Sequence, residues 1–160
     1  MSSNKGVCRV EKISTLDISG VDKNEKYYIL KPVYSQASTV YVPVETADDS
    51  LRPILTKKEA EKIVKQIPDI PMIDIVNEKL LEQEYKDCIR SNDARELVSL
   101  LKTLYKRRQA RLAMGRKETA LDAKYHKMAS EYFFGELAIS LDMPRTEVES
   151  FIDGCGWEGK

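Results

Sequence analysis

The chain has 160 residues, room for one compact domain or two small ones. Hydrophobic residues make up 42% and charged residues 32%, a globular rather than disordered composition, and no apolar run approaches the roughly 18 residues of a membrane span. Basic and acidic side chains cancel at 26 each, but they are unevenly placed.

From Arg90 to Lys127 there are 11 Lys and Arg against 4 Asp and Glu, whereas residues 69–89 and 128–160 are acidic. A basic block between two acidic ones can steer one face toward a polyanion. The first six residues contain no apolar core segment, so no secretory signal is expected and the reading is cytoplasmic. Cys8, Cys88 and Cys155 are far apart, and His126 has no partner at metal-ligand spacing. No metal, disulfide framework or cofactor is expected. Cys8 and Cys88 read as small buried hydrophobes and His126 as a surface residue.

In chain order, residues 6–13, 26–34 and 38–44 are rich in Val, Ile, Tyr and Thr and read as strands. Residues 15–25 read as a loop, and Ser35-Gln36-Ala37 has the length of a hairpin turn. Several short antiparallel strands in this length predict a small SH3-like or Tudor-like barrel. The period then changes. Thr56-Lys57-Lys58-Glu59 is a capping box, and Ala60, Ile63, Val64 and Ile67 follow at helical spacing until Pro68. Residues 67–71 read as a stiff connector. Helices are predicted from 77 to about 90, from Asp93 as N-cap to near Gly115, from 117 to 141, and from Pro144 to Gly154. The fold class is α+β, divided into a β domain (1–55), a connecting helix and linker (56–71), a helical bundle (72–154) and a tail (155–160).

Three segments then stand out. Gly6-Val7-Cys8-Arg9-Val10-Glu11, Tyr27-Tyr28-Ile29-Leu30-Lys31-Pro32-Val33-Tyr34 and Ser38-Thr39-Val40-Tyr41-Val42-Pro43-Val44 resemble the β domain of CarD-family transcription regulators. The same module is the RNA-polymerase-interacting domain of transcription-repair coupling factors. Leu51 to Ala60 looks like the segment that follows it in Firmicute-like members. Residues 85–93, 104–108 and 135–141 resemble the family's helical DNA-binding domain.

The resemblance implies a β domain that docks on the lobe of the RNA polymerase β subunit. It also implies a helical domain that touches promoter DNA and modulates initiation. Lys31, Thr39 and Tyr41 are the implied polymerase-facing residues; for Tyr41 the competing reading is sheet packing. Two departures are visible. The strand that precedes Gly6 in the family is missing: either the start is placed too late, or the chain is trimmed, or the barrel lacks that strand, and in the last two cases an unpaired sheet edge would be exposed and open to a homodimer. The family's minor-groove Trp has no counterpart in residues 70–85, and Trp157 is the one tryptophan.

For the DNA face, helical spacing places Arg95, Lys102 and Lys106 opposite Leu97, Leu101 and Leu104. Arg107 and Arg111 flank that stripe, Arg116 and Lys117 follow at the turn, and Lys124 and Lys127 continue on the next helix. Arg108 falls within the apolar arc. Such residues would neutralise phosphates weakly and without sequence preference. The competing reading is a solvated helix face. Residues 137–149 also invite a helix-turn-helix reading, but Glu147, Glu149 and Asp153 suit a phosphate-lined groove poorly, so they read as bundle packing. No P-loop, dinucleotide loop or catalytic triad is present, and no enzyme activity is expected. The alternatives are an adaptor that binds polymerase or another protein without touching DNA, and a sequence-specific repressor.

Overall fold

A computed structural model describes residues 1–36 and 38–153. The expected ends at Gly154, Cys155 and Trp157 lie outside the described residues. Three antiparallel strands, β1 (Cys8–Thr15), β2 (Lys26–Pro32) and β3 (Val40–Pro43), form one sheet in the order β1-β2-β3. Tyr28 pairs with Ile13 and Val42, and Leu30 with Val10 and Val40, so those side chains share one face. An irregularity between Val10 and Lys12 leaves Glu11 as an extra residue, a bulge in the outer strand.

The sheet is open among the described residues, and β1 has β2 as its single strand neighbour. Val10 and Ile13 are each 52% exposed there. Ahead of β1 the chain forms a tight turn in which Ser2 bridges both Gly6 and Leu51. Gly6 lies at φ +69°, where the ring of Tyr132 leaves no room for a Cβ. Met1, Ser2 and Ser3 are thereby buried against the rest of the molecule.

A 3-10 turn (Val44–Asp49) leads to the helices: α1 (Lys57–Gln66), α2 (Leu81–Arg90), α3 (Ala94–Ala113), α4 (Ala120–Ser140) and α5 (Arg145–Asp153). Thr56 accepts from the Glu59 amide while the Glu59 carboxylate accepts from Thr56, the reciprocal cap read from the sequence. Asp93 caps α3 and Thr119 caps α4. Each helix contributes one apolar side, but α3 is buried nearly all round from Leu97 to Leu104. Leu97, Leu100, Leu101, Leu104, Tyr85, Phe133 and Leu137 make the centre of the core. Leu137, Ala138, Val148 and Ile152 are buried between α4 and α5, as packing residues.

The β region is fastened to the helices by a polar knot. The Arg52 guanidinium grips Glu136 of α4 with both terminal nitrogens, one of them at 2.7 Å, and its Nε donates to the carbonyl of Asn92. Glu136 is fully buried and also accepts from the Leu55 amide at 3.0 Å. Asn92, in the turn before α3, donates back to the carbonyl of Met1 at 3.4 Å. A charge buried in mid-helix is costly unless paired and hydrogen-bonded, and Glu136 has three donors. Asp122, near the start of the same helix, is fully buried as well.

Candidate functional site

The candidate residues of the β region lie on and beside β2 and β3. Tyr41 pairs with Ile29, which lies two residues before Lys31 on β2, and Thr39 directly precedes β3. Arg9 pairs with Lys31 from the other side. Tyr41 is 46% exposed, and Lys31, Thr39 and Arg9 are exposed. This part of the sheet therefore exposes an aromatic residue together with cationic and hydroxyl side chains. An exposed aromatic with neighbouring cations is suited to protein recognition.

The helical candidates do not form one surface. Lys102 is 6% exposed, and its ammonium donates to the carbonyls of Ile67, Pro68 and Ile70 at 3.0, 3.1 and 2.7 Å. Those carbonyls belong to the segment that ends α1 and crosses over α3, so Lys102 serves as an internal cap. Burial pulls its pKa down, with Asp69 opposing. The expectation that Lys102 faces DNA is therefore corrected: its charge is spent inside. Lys102→Met, which keeps the bulk but donates nothing, is expected to lower stability by about 2 kcal/mol in urea melts and to leave the salt dependence of any DNA binding unchanged.

Arg107 is likewise engaged. It pairs with Glu78 at 2.8 Å and with the buried Asp122 at 3.2 Å, and Asp122 also accepts from the Tyr85 hydroxyl at 3.0 Å. The hydrogen bonds to Glu78, and the charge of Asp122, hold the guanidinium more firmly protonated, against its burial. Burial and the bond to Asp122 push the Tyr85 hydroxyl up. Arg95 donates to Gln66 at 2.7 Å, and Arg111 to the carbonyl of Lys117 at 2.7 Å. Lys124 lies 3.7 Å from Glu82 and 5.0 Å from the ring centroid of Tyr125. Lys106, Arg116 and Lys117 are exposed, and none has a side-chain partner among the described residues. Arg108, set aside by its position in the apolar arc, is also exposed. The signal that could have found it is a run free of acidic residues from Lys106 to Lys117.

Cys88 is buried, with its thiol 3.7 Å from Glu96. Burial, then the Glu96 charge, push its pKa up to about 12. Cys88 is expected to resist iodoacetamide at pH 8 in the native protein and to react after denaturation, as read by peptide mass spectrometry. Native alkylation at Cys88 within minutes would contradict its burial. Among the described residues no cluster of three His, Cys, Asp or Glu could hold a metal ion. No helix among them is long and apolar enough to cross a membrane.

Residues 3–55 match the family model of the CarD-like/TRCF RID domain. That match covers the turn at Ser2–Gly6 beyond its first residue, all three strands, and the chain up to the cap of α1. The N-terminal region is thus similar to the CarD-like RNA-polymerase-interacting domain over the length of that match. A search of curated proteins finds no match to the chain.

Proposed function

We propose that this protein docks on the lobe of the RNA polymerase β subunit through its β domain and carries a basic helical element to promoter DNA, modulating initiation. The observation that carries the reading is the RID match over residues 3–55, a region in which Lys31, Thr39 and Tyr41 are all exposed. The DNA contact is supported by unpaired cations on the far part of α3 and the turn after it, Lys106, Arg108, Arg116 and Lys117. Four contacts of this kind give weak, sequence-independent binding on the order of micromolar. Tethering to polymerase raises the local DNA concentration, so weak contacts suffice. The setting is the cytoplasm, where the polymerase is.

A specific observation favours the adaptor as a second reading. Arg107, near the middle of the basic block, is neutralised by Glu78 and Asp122, which reduces the positive field there. A dimer through the outer edge of β1 is a further possibility of the open sheet, although the bulge at Glu11 and the charges of Arg9 and Lys12 are features that guard such edges. The experiment that separates the two main readings is binding to a forked promoter fragment at stepped salt, with and without polymerase. A DNA-contacting regulator binds more weakly as salt rises. An adaptor leaves the fragment untouched in the absence of polymerase.

A further inference from the structure

We infer that the projecting end of α3 enters a groove of duplex DNA end-on, with Leu112 and Met114 against the groove floor and Arg108, Arg116 and Lys117 on the flanking phosphates. This rests on the DNA-contacting reading above and gives it a place and a geometry.

The first reason is how α3 is covered. From Leu97 to Leu104 it is enclosed on nearly every side, whereas every residue from Lys106 to Lys117 is exposed except Arg107 and Arg111, which are half-buried. The ties between α3 and the body end at Arg107, which holds Glu78 and Asp122. Beyond that point the last six residues of α3, somewhat under two turns or roughly 9 Å, stand free of the core.

The second reason is that hydrogen bonds close this end. Gly115 takes φ +69° and its amide bonds the Leu112 carbonyl at 2.9 Å, while the Arg116 amide bonds the Arg111 carbonyl at 2.9 Å. The Arg111 side chain then bridges to the Lys117 carbonyl and closes the turn. A closed, stiff tip loses little freedom on binding.

The third reason is composition. Residues 106–117 hold six basic and no acidic side chains, the first acid after them being Glu118. Among these cations Leu112 is 49% and Met114 71% exposed. One exposed apolar residue would mean little, but two at the apex of a cationic helix match a groove with apolar sugar and base edges between rows of phosphate. A helix of roughly 10–12 Å diameter fits a major groove about 12 Å wide. An anionic membrane is the poorer match, because an interfacial helix needs a continuous apolar face and this one offers two large apolar side chains.

The fourth reason is placement. α3 starts beside Asn92, where the chain of the β domain is fastened through Arg52. Its 20 residues span about 30 Å, so the tip is held well away from that junction. A β domain seated on polymerase would leave the tip free to reach DNA.

The test is fluorescence anisotropy of the full chain on a labelled duplex of roughly two helical turns, at several salt concentrations. Arg108→Glu with Arg116→Glu is expected to weaken binding at least about 30-fold at low salt and to flatten the log–log salt slope by about 2. Leu112→Ser with Met114→Ser is expected to weaken binding about fivefold and leave the slope unchanged, since no phosphate contact is lost. Lys57→Glu on α1 serves as the remote charge control, and circular dichroism checks the helices of each variant. If the wild type binds duplex and neither tip pair weakens it more than the control does, the tip assignment is overturned while DNA contact stands. If the wild type binds no duplex at low salt, the DNA reading falls and the inference with it. Co-sedimentation with phosphatidylserine vesicles, in place of duplex binding, would also overturn it.

Discussion

Glu136→Ala is expected to lower the unfolding free energy by about 4 kcal/mol, which for a chain of this size is a fall in Tm on the order of 10 °C. The change strands the Arg52 guanidinium and the Leu55 amide together, at a site where the carboxylate is fully buried. Removing one partner of a buried pair is far more damaging than replacing both. Arg52→Met combined with Glu136→Leu is therefore expected to recover part of the loss. A melt of Glu136→Ala within about 2 °C of wild type would mean the pair does not hold in solution. Because Arg52 also engages Asn92, the loss should loosen the β domain on the helices as well as the fold as a whole. Faster amide exchange at residues 52–55, measured with the melt, separates that local effect from global destabilisation.

Asp122→Ala is the second large effect, expected at about 3 kcal/mol by urea denaturation. Asp122 is fully buried near the start of α4, where it accepts from the Tyr85 hydroxyl of α2 and from Arg107 of α3. Three helices meet at that one carboxylate. Alanine leaves a buried phenol without its acceptor and leaves Arg107 with Glu78 alone, on the exposed side. Asp122→Asn keeps the volume and one acceptor oxygen, so its cost is expected to be about half as large. Equal stability of wild type and Asp122→Ala would contradict the network. Since Arg107 is the last tie before α3 projects, both variants should also speed amide exchange beyond residue 107.

The local signals in the sequence were faithful where one element decides its own structure. The capping box at Thr56 and Glu59 and the cap at Asp93 depend on neighbouring residues and are found where their patterns place them. The stop at Gly115 needs a left-handed conformation, which is why glycine there marks the end of α3. The strands were legible from their β-branched and aromatic residues, though Val44 starts a 3-10 turn rather than ending β3.

What periodicity cannot show is a second cover. Helical spacing sorts residues around α3 into an apolar and a charged side, on the premise that one side faces water. The chain leaving α1 lies across that second side near Lys102, so a lysine on the polar face becomes internal. The opposite error occurs at Arg108. Its place in the apolar arc implies burial only if the core continues to the helix end, and here the core stops near Leu104. Glu136 and Asp122 escaped notice because their partners are remote in sequence, 84 residues away for Arg52. Lys31, Thr39 and Tyr41 were named from the family resemblance rather than from any pattern in the residues, and the register adds that Tyr41 lies opposite Ile29, two residues from Lys31 on β2.

The central claim is that the β domain docks on RNA polymerase, and titration calorimetry of the full chain against an isolated β-subunit lobe tests it most directly. A saturable one-to-one isotherm is predicted, weakened about tenfold, or roughly 1.4 kcal/mol, by Tyr41→Ala with no change in melting temperature. The absence of heat and of any complex from a folded protein would contradict the account.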